Sequence, residues 1–385
     1  MTDARGQAPT TPDWSTPWPV SRLGAVRNLL AELGVHATRL RQPAGRPRLL
    51  ISPCGTKEGD VASFLRAYCL GETLRRERGY RVTIIPPRLT LRQRQRLVRL
   101  ERPDAVLMQM ERHPLQRPRF YAPVPVVFDM DDADFLWDHA RALVEECCRD
   151  STAVVAGSRY LADWARQHNP NVHIIWTGAP DAPLSAPTQL TRKPIVAWGH
   201  SCPHDYPHEA EFIQQVLVRA AREVDLEYWL FGVRDPAEGQ SLTQHLAAAG
   251  VPVRMFPRMP FAEFSARLQE VAVGVQVLAA DNPYAQGKSF GKILNYLAAG
   301  AVVVASDGAD HPLFFQSWQN GVLATSVDDW VRAIVRLLQS PAERERIAGR
   351  ALADYRERLT LHAIAARYDA VLRTVMQRTG ASSAS

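Results

Sequence analysis

Cysteine is scarce in this 385-residue chain: Cys54, Cys69, Cys147, Cys148 and Cys202 are odd in number, scattered and without C-x-x-C spacing. That pattern argues against a disulfide framework or a structural zinc site and leaves the thiols reduced. Long apolar runs are missing too, since no window approaches about 18 consecutive apolar residues, and the first residues are polar and proline-rich. Neither a membrane span nor a signal-peptide core is expected, so the expected location is cytoplasmic. The loop after the first strand pattern, CGTKEGD, lacks G-x-G-x-x-G, so the dinucleotide fingerprint of a dehydrogenase is absent.

What is present is ordinary in amount and uneven in place. Apolar residues make up 46% and charged residues 22%, enough for two globular cores in a chain of this length. The net charge of +6 is concentrated, with thirteen arginines between Arg75 and Arg119. Within LTLRQRQRLVRL, Arg92, Arg96 and Arg99 share roughly one helical face. Such a face could lie on an anionic membrane surface or simply be solvated. Nucleic acid is not expected as a partner, because no aromatic residues interleave the basic run.

Short apolar runs alternate with helical patterns from Arg48 onward. LLISP, RVTIIP, Asp104 to Met110, Val124 to Asp129, Thr152 to Ala156 and Val172 to Trp176 read as strands of one α/β unit. The Pro/Ser/Thr stretch APLSAPTQLTRKP then breaks the pattern, and PIVAWGHS, LEYWLFG and VPVRMFP open a second unit. The division expected is 1–46 as an extension and linker, 47–187 and 188–360 as two Rossmann-like domains, and 361–385 as a closing helix with a frayed tail.

The stretch GKSFGKILNYLAAGAVVVAS, residues 287–306, carries the chemistry. Ser289 can cap a helix whose apolar face is Phe290, Ile293, Leu294 and Leu297, Gly300 ends it, and a β-branched strand follows. Lys288 stands just before that helix and Lys292 one turn inside it, so two cations join unpaired N–H groups at the positive end of the helix dipole. An anion such as a nucleoside diphosphate would sit there, at the carboxyl edge of a sheet.

The same string resembles the donor-binding helix and strand of retaining family 4 glycosyltransferases of the GT-B fold. VLMQMERHP and VVFDMDDADF, with Glu111 and Arg112 after one strand and Asp131 and Asp132 after the next, resemble further strings of one branch of that family. The resemblance implies two doubly wound domains facing a cleft and transfer of a hexose-like sugar from a nucleotide sugar, retaining and without a metal or other cofactor. Lys288 and Lys292 would serve catalysis, and Gly199, His200, Arg234, Gly287, Ser289, Phe290 and Asn295 the donor. Gly55, Thr56, Lys57, Glu111, Arg112, Asp131 and Asp132 would face the acceptor side. Many members carry two glutamates eight positions apart, where this chain has Gly287 and Asn295; Asn295 could still meet the donor ribose. A non-catalytic GT-B protein binding a sugar nucleotide or a partner, or a sugar-nucleotide epimerase, is the other reading. The acceptor is not readable. The cluster His200, Cys202, His204 and His208 fits no common zinc spacing, so no metal site is expected.

Overall fold

The computed structural model describes residues 22–40, 42–180, 188–279, 282–288 and 290–382. Among the described residues the strands form two parallel six-stranded sheets. The first has the order β2-β1-β3-β4-β5-β6, built from β1 (Arg48–Ser52), β2 (Arg81–Ile84), β3 (Ala105–Gln109), β4 (Val126–Met130), β5 (Ala153–Ala156) and β6 (Val172–Ile174). The second has the order β12-β11-β10-β7-β8-β9, from β7 (Ile195–Gly199), β8 (Glu227–Phe231), β9 (Val253–Phe256), β10 (Val273–Gln276), β11 (Val302–Ser306) and β12 (Val322–Ala324). Most of the central strands are buried along their whole length, which is why they read as unbroken apolar runs rather than alternating ones.

Helices cover both faces. In the first domain these are α1 (Arg22–Leu40), α2 (Val61–Ser63), α3 (Leu70–Glu77), α4 (Leu91–Glu101), α5 (Asp138–Asp150) and α6 (Arg159–Ala165). A π-helical stretch, Phe64–Cys69, joins α2 to α3 in one continuous helix. The second domain adds α7 (Pro207–Ala220), α8 (Pro236–Ser241), α9 (Gln244–Ala248), α10 (Phe261–Leu268), α11 (Pro283–Gln286), α12 (Gly291–Ala298), α13 (His311–Phe314), α14 (Val327–Gln339) and α15 (Pro341–Arg358). The last helix, α16 (Leu361–Ser382), returns to the first domain, where Ile364, Tyr368 and Leu372 join the core with Leu74 and Leu107.

Two features differ from the sequence reading. Residues 22–40, read as part of an extension, pack as α1 on the first domain: Glu32 is buried and accepts from Arg96 and Gln93 of α4. The donor-side helix starts at Gly291 rather than after Ser289; its N-cap is Phe290, which offers no side-chain cap, and Ser289 lies outside the described residues.

Candidate active site

A cavity of about 450 Å³ opens between the carboxyl edges of the two sheets. Its second-domain wall is set by close backbone packing. Tyr296 of α12 lies under Gly274 of β10, where a Cβ would meet the ring at 2.4 Å, so only glycine admits the tyrosine. The Tyr296 hydroxyl then accepts from Gly199 N at 2.6 Å and donates to the Ala197 carbonyl at 3.1 Å, fixing the end of β7. Gly232 turns the chain after β8 at φ +88°, and a Cβ there would lie 1.7 Å from the His200 carbonyl oxygen. His200 is thereby held in the cavity, its Nδ1 accepting from Cys202 N at 3.2 Å.

Lys288, Gly291, Lys292 and Asn295 enter the cavity together, Lys288 from the chain before α12 and Lys292 and Asn295, three residues apart, from one face of the helix. Burial, with Lys288 adding like charge, pushes Lys292 down to about 7. Its ammonium lies 5.9 Å from the centre of the Tyr206 ring, and among the described residues no carboxylate reaches it within ion-pairing distance. His200 is pushed well below its ordinary range by burial and by the two lysines. Phe290, at the N-cap of α12, offers no side-chain cap, and Gly291 and Lys292 of its first turn line the cavity.

The first-domain wall is charged and paired. Asp132 accepts from Lys288 Nζ at 2.6 Å across the cleft and from Arg112 at 2.8 Å. Burial opposes its charge, but Lys288 and Arg112 outweigh that and hold it well below the usual carboxylate range. Lys288 is raised in return: burial works against its charge and Asp132 prevails. Asp131 is tied by Thr177 at 3.0 Å and by Arg66 at 3.4 Å, and burial pushes it up to about 6. Behind it Arg66 pairs with Asp129 at 2.5 Å and donates to the Tyr368 hydroxyl at 2.8 Å, linking the cavity wall to α16. Further contacts join the domains: Asp310 accepts from Arg159 Nε at 2.9 Å and from Trp176 Nε1 at 2.8 Å, and Arg258 donates to the Gly59 carbonyl at 2.9 Å.

Residues 214–373 match the family described as Glycosyl transferase-like. No curated protein matches the sequence. Among solved structures, sucrose-phosphate synthase from Thermosynechococcus elongatus aligns at TM-score 0.65 and 15% identity, over 86% of this chain and 100% of that one. Anabaena HepE in complex with UDP and glucose aligns at 0.60 and 15% identity, over 86% and 100%. An O-GlcNAc transferase from Thermobaculum terrenum gives 0.60 at 13% identity, over 92% and 75%. The fold is GT-B. Together with the family match, it indicates a glycosyltransferase.

In this GT-B cleft, several residues named from sequence lie away from the cavity. Phe290 packs in the second-domain core, edge-on to Trp176 at 4.9 Å, because it belongs to the apolar face of α12. Gly287 faces the other domain: a Cβ there would touch Ala133 and Leu161, and its carbonyl accepts from Ser158 Oγ. Glu111 is buried outside the lining, pushed well above the usual carboxylate range by burial and by Asp134. Arg234 stays 57% exposed at the rim and donates to Cys202 Sγ at 2.7 Å. Gly55, Thr56 and Lys57 form the βα turn, Thr56 accepting from Gly59 N, while Gly59 and Asp60 reach the cavity.

Of the sequence cluster, Cys202 and His204 converge with Asp205, their ligand atoms within 4.8 Å of one another, but the Arg234 guanidinium already sits against them. Sequence reasoning missed Tyr206 and Thr177 of the lining and Tyr296, which holds the end of β7 from beneath it. Tyr296 reads as one more apolar position of its helix, and only the glycine on β10 hints that an aromatic ring needs room there.

Proposed function

We propose that this protein transfers a sugar from a nucleotide-diphosphate sugar held by the second domain to an acceptor entering along the first, with retention of configuration and without a metal. The observation that carries the reading is the meeting of Lys288, Lys292 and the start of α12 in one interdomain cavity. Two ammonium groups at the positive end of a helix supply the charge that a departing diphosphate needs. A bound diphosphate would draw Lys288 away from Asp132 and return a full proton to Lys292. Asn295, 6% exposed along the same face, would meet the ribose. On the acceptor side Arg112, Asp131 and Asp132 line the opening and would orient hydroxyl groups. Arg92 and Arg99 of α4, exposed on the first domain, suit an anionic membrane surface. HepE was captured with UDP, so UDP-sugars are the first donors to test.

Incubation with UDP-, GDP- and ADP-sugars in EDTA should release nucleoside diphosphate, and the anomeric proton of the product, read by NMR, should match the donor's. Release that required magnesium or manganese would refute the metal-free charge arrangement. A binding-only reading draws on one observation, Asp132 already occupying Lys288. Tight donor binding with no product from any acceptor pool would favour it.

A further inference from the structure

The outer surface of α1 has no place in the chemistry above. Its inner face packs on the first domain through buried Asn28 and Glu32, with Ala31 and Val35 against the core. The opposite face exposes Leu23 by 64%, Val26 by 53%, Leu30 by 62% and Leu33 by 54%, at successive steps of three, four and three residues. Leu29 lies alongside, so five of the ten exposed large apolar side chains among the described residues fall on this one helix. A concentration of that kind marks an interaction surface. Neighbouring α4 contributes exposed Arg92 and Arg99 and a sixth exposed apolar side chain, Leu100, while its Arg96 is already paired with Glu32 of α1. Both acids of the two helices, Glu32 and Glu101, are buried, so among the described residues their exposed faces carry cations without carboxylates.

We propose that α1 seats its leucine stripe in the surface of an anionic lipid membrane while Arg92 and Arg99 of α4 and Arg27 of α1 meet the headgroups. The stripe spans roughly 15 Å along the helix, enough to lie flat in the interfacial layer and far too short to cross it. An anionic bilayer supplies both chemistries at once: phosphates for the guanidinium groups and acyl chains for the leucines. A second copy of this chain would answer only the leucines, because a two-fold contact through α1 would bring like-charged arginines together. The proposal rests on the arginine reading given above and adds the element that inserts.

The test uses the full chain and sedimentation with vesicles of phosphatidylcholine, alone or with about 30 mol% phosphatidylglycerol. The wild type should sediment with the anionic vesicles only and be released as salt rises. Replacing Leu23, Leu30 and Leu33 together by Ser should weaken partitioning by about tenfold or more while UDP binding and the melting temperature stay unchanged. Arg92→Gln with Arg99→Gln should flatten the salt dependence. If the triple-serine variant partitions like the wild type, insertion by α1 is wrong although the arginine reading stands. Indifference of the wild type to both vesicles would sink both. A concentration-dependent dimer that the serine variant abolishes, without vesicle binding, would assign the stripe to a second copy and overturn the proposal. None of these outcomes bears on donor binding, which the same variants report separately.

Discussion

The two walls of the cavity handle charge in opposite ways. On the first-domain side Arg66 is closed against Asp129 and Tyr368, and Arg112 against Asp132 and Asp134, each charge meeting its opposite at hydrogen-bond distance. On the second-domain side Lys292 is half-buried beside another lysine, and its ammonium is disfavoured down to about 7. Lys288 stands between the two regimes, since it belongs to the second domain by sequence but finds its partner, Asp132, in the first. A paired wall holds its shape; an underpaired one waits for an anion.

That contrast can be broken from its paired side first. Arg66→Met leaves Asp129 buried without its cation, which should cost about 3–5 kcal/mol, the usual consequence of halving a buried pair. Thermal or urea unfolding would show it as lost stability, and a variant as stable as the wild type would mean that water reaches Asp129. On the other wall the effect should move from stability to turnover. Lys288→Ala removes a cation from where charge grows on the leaving diphosphate, so kcat should fall by about a hundredfold, with donor affinity changing less. Unchanged turnover with every accepted donor would return α12 to a structural role.

Lys292 offers a stability test with a defined sign. Between about 7 and the ordinary 10.5, the unfolded chain holds a proton on Lys292 that the folded chain releases. Wild-type stability therefore rises with pH across that window, and the cost of burying the lysine is fully present below it. Lys292→Met removes the cost, so its melting temperature should exceed the wild type's by a few degrees near neutral pH and converge toward it near the top of the window. A gain independent of pH would show that packing rather than charge was relieved. Asn295→Ala should have the smallest effect: the donor KM rises a few fold with kcat nearly unchanged, because a ribose contact gains nothing in the transition state. A fall in kcat equal to that of the Lys288 variant would place Asn295 at the reacting centre.

How much of this could be read from the chain depends on distance along it. The central strands were legible because they are buried on both faces, so Val302 to Ala305 or Leu49 to Ile51 needs no partner to be recognised. The sequence also carries the distinction between Phe290 and the polar residues of the helix, since Phe290 shares its helical phase with Ile293, Leu294 and Leu297 while Lys292 and Asn295 share the opposite one. Naming Phe290 for the donor ignored that phase. Gly287, whose missing side chain leaves room for Ala133 and Leu161, could not have been placed from local pattern. Nor could the ion pair of Asp132 with Lys288, 156 residues apart, or the clasp of Asp310 on Arg159 and Trp176. Local periodicity says which face of an element is buried; it says nothing of which other domain the exposed face will meet.

The most direct test of the central claim is calorimetric titration of the full chain with UDP, GDP and ADP in EDTA, repeated in buffers of different ionisation enthalpy. If Lys292 waits nearly neutral for the diphosphate, at least one nucleotide binds in the chelator, and proton uptake approaches one per site at about pH 8 and falls away toward pH 6. Lys292→Met should abolish that uptake. Binding that appeared only with magnesium or manganese, or uptake that persisted in Lys292→Met, would contradict the account.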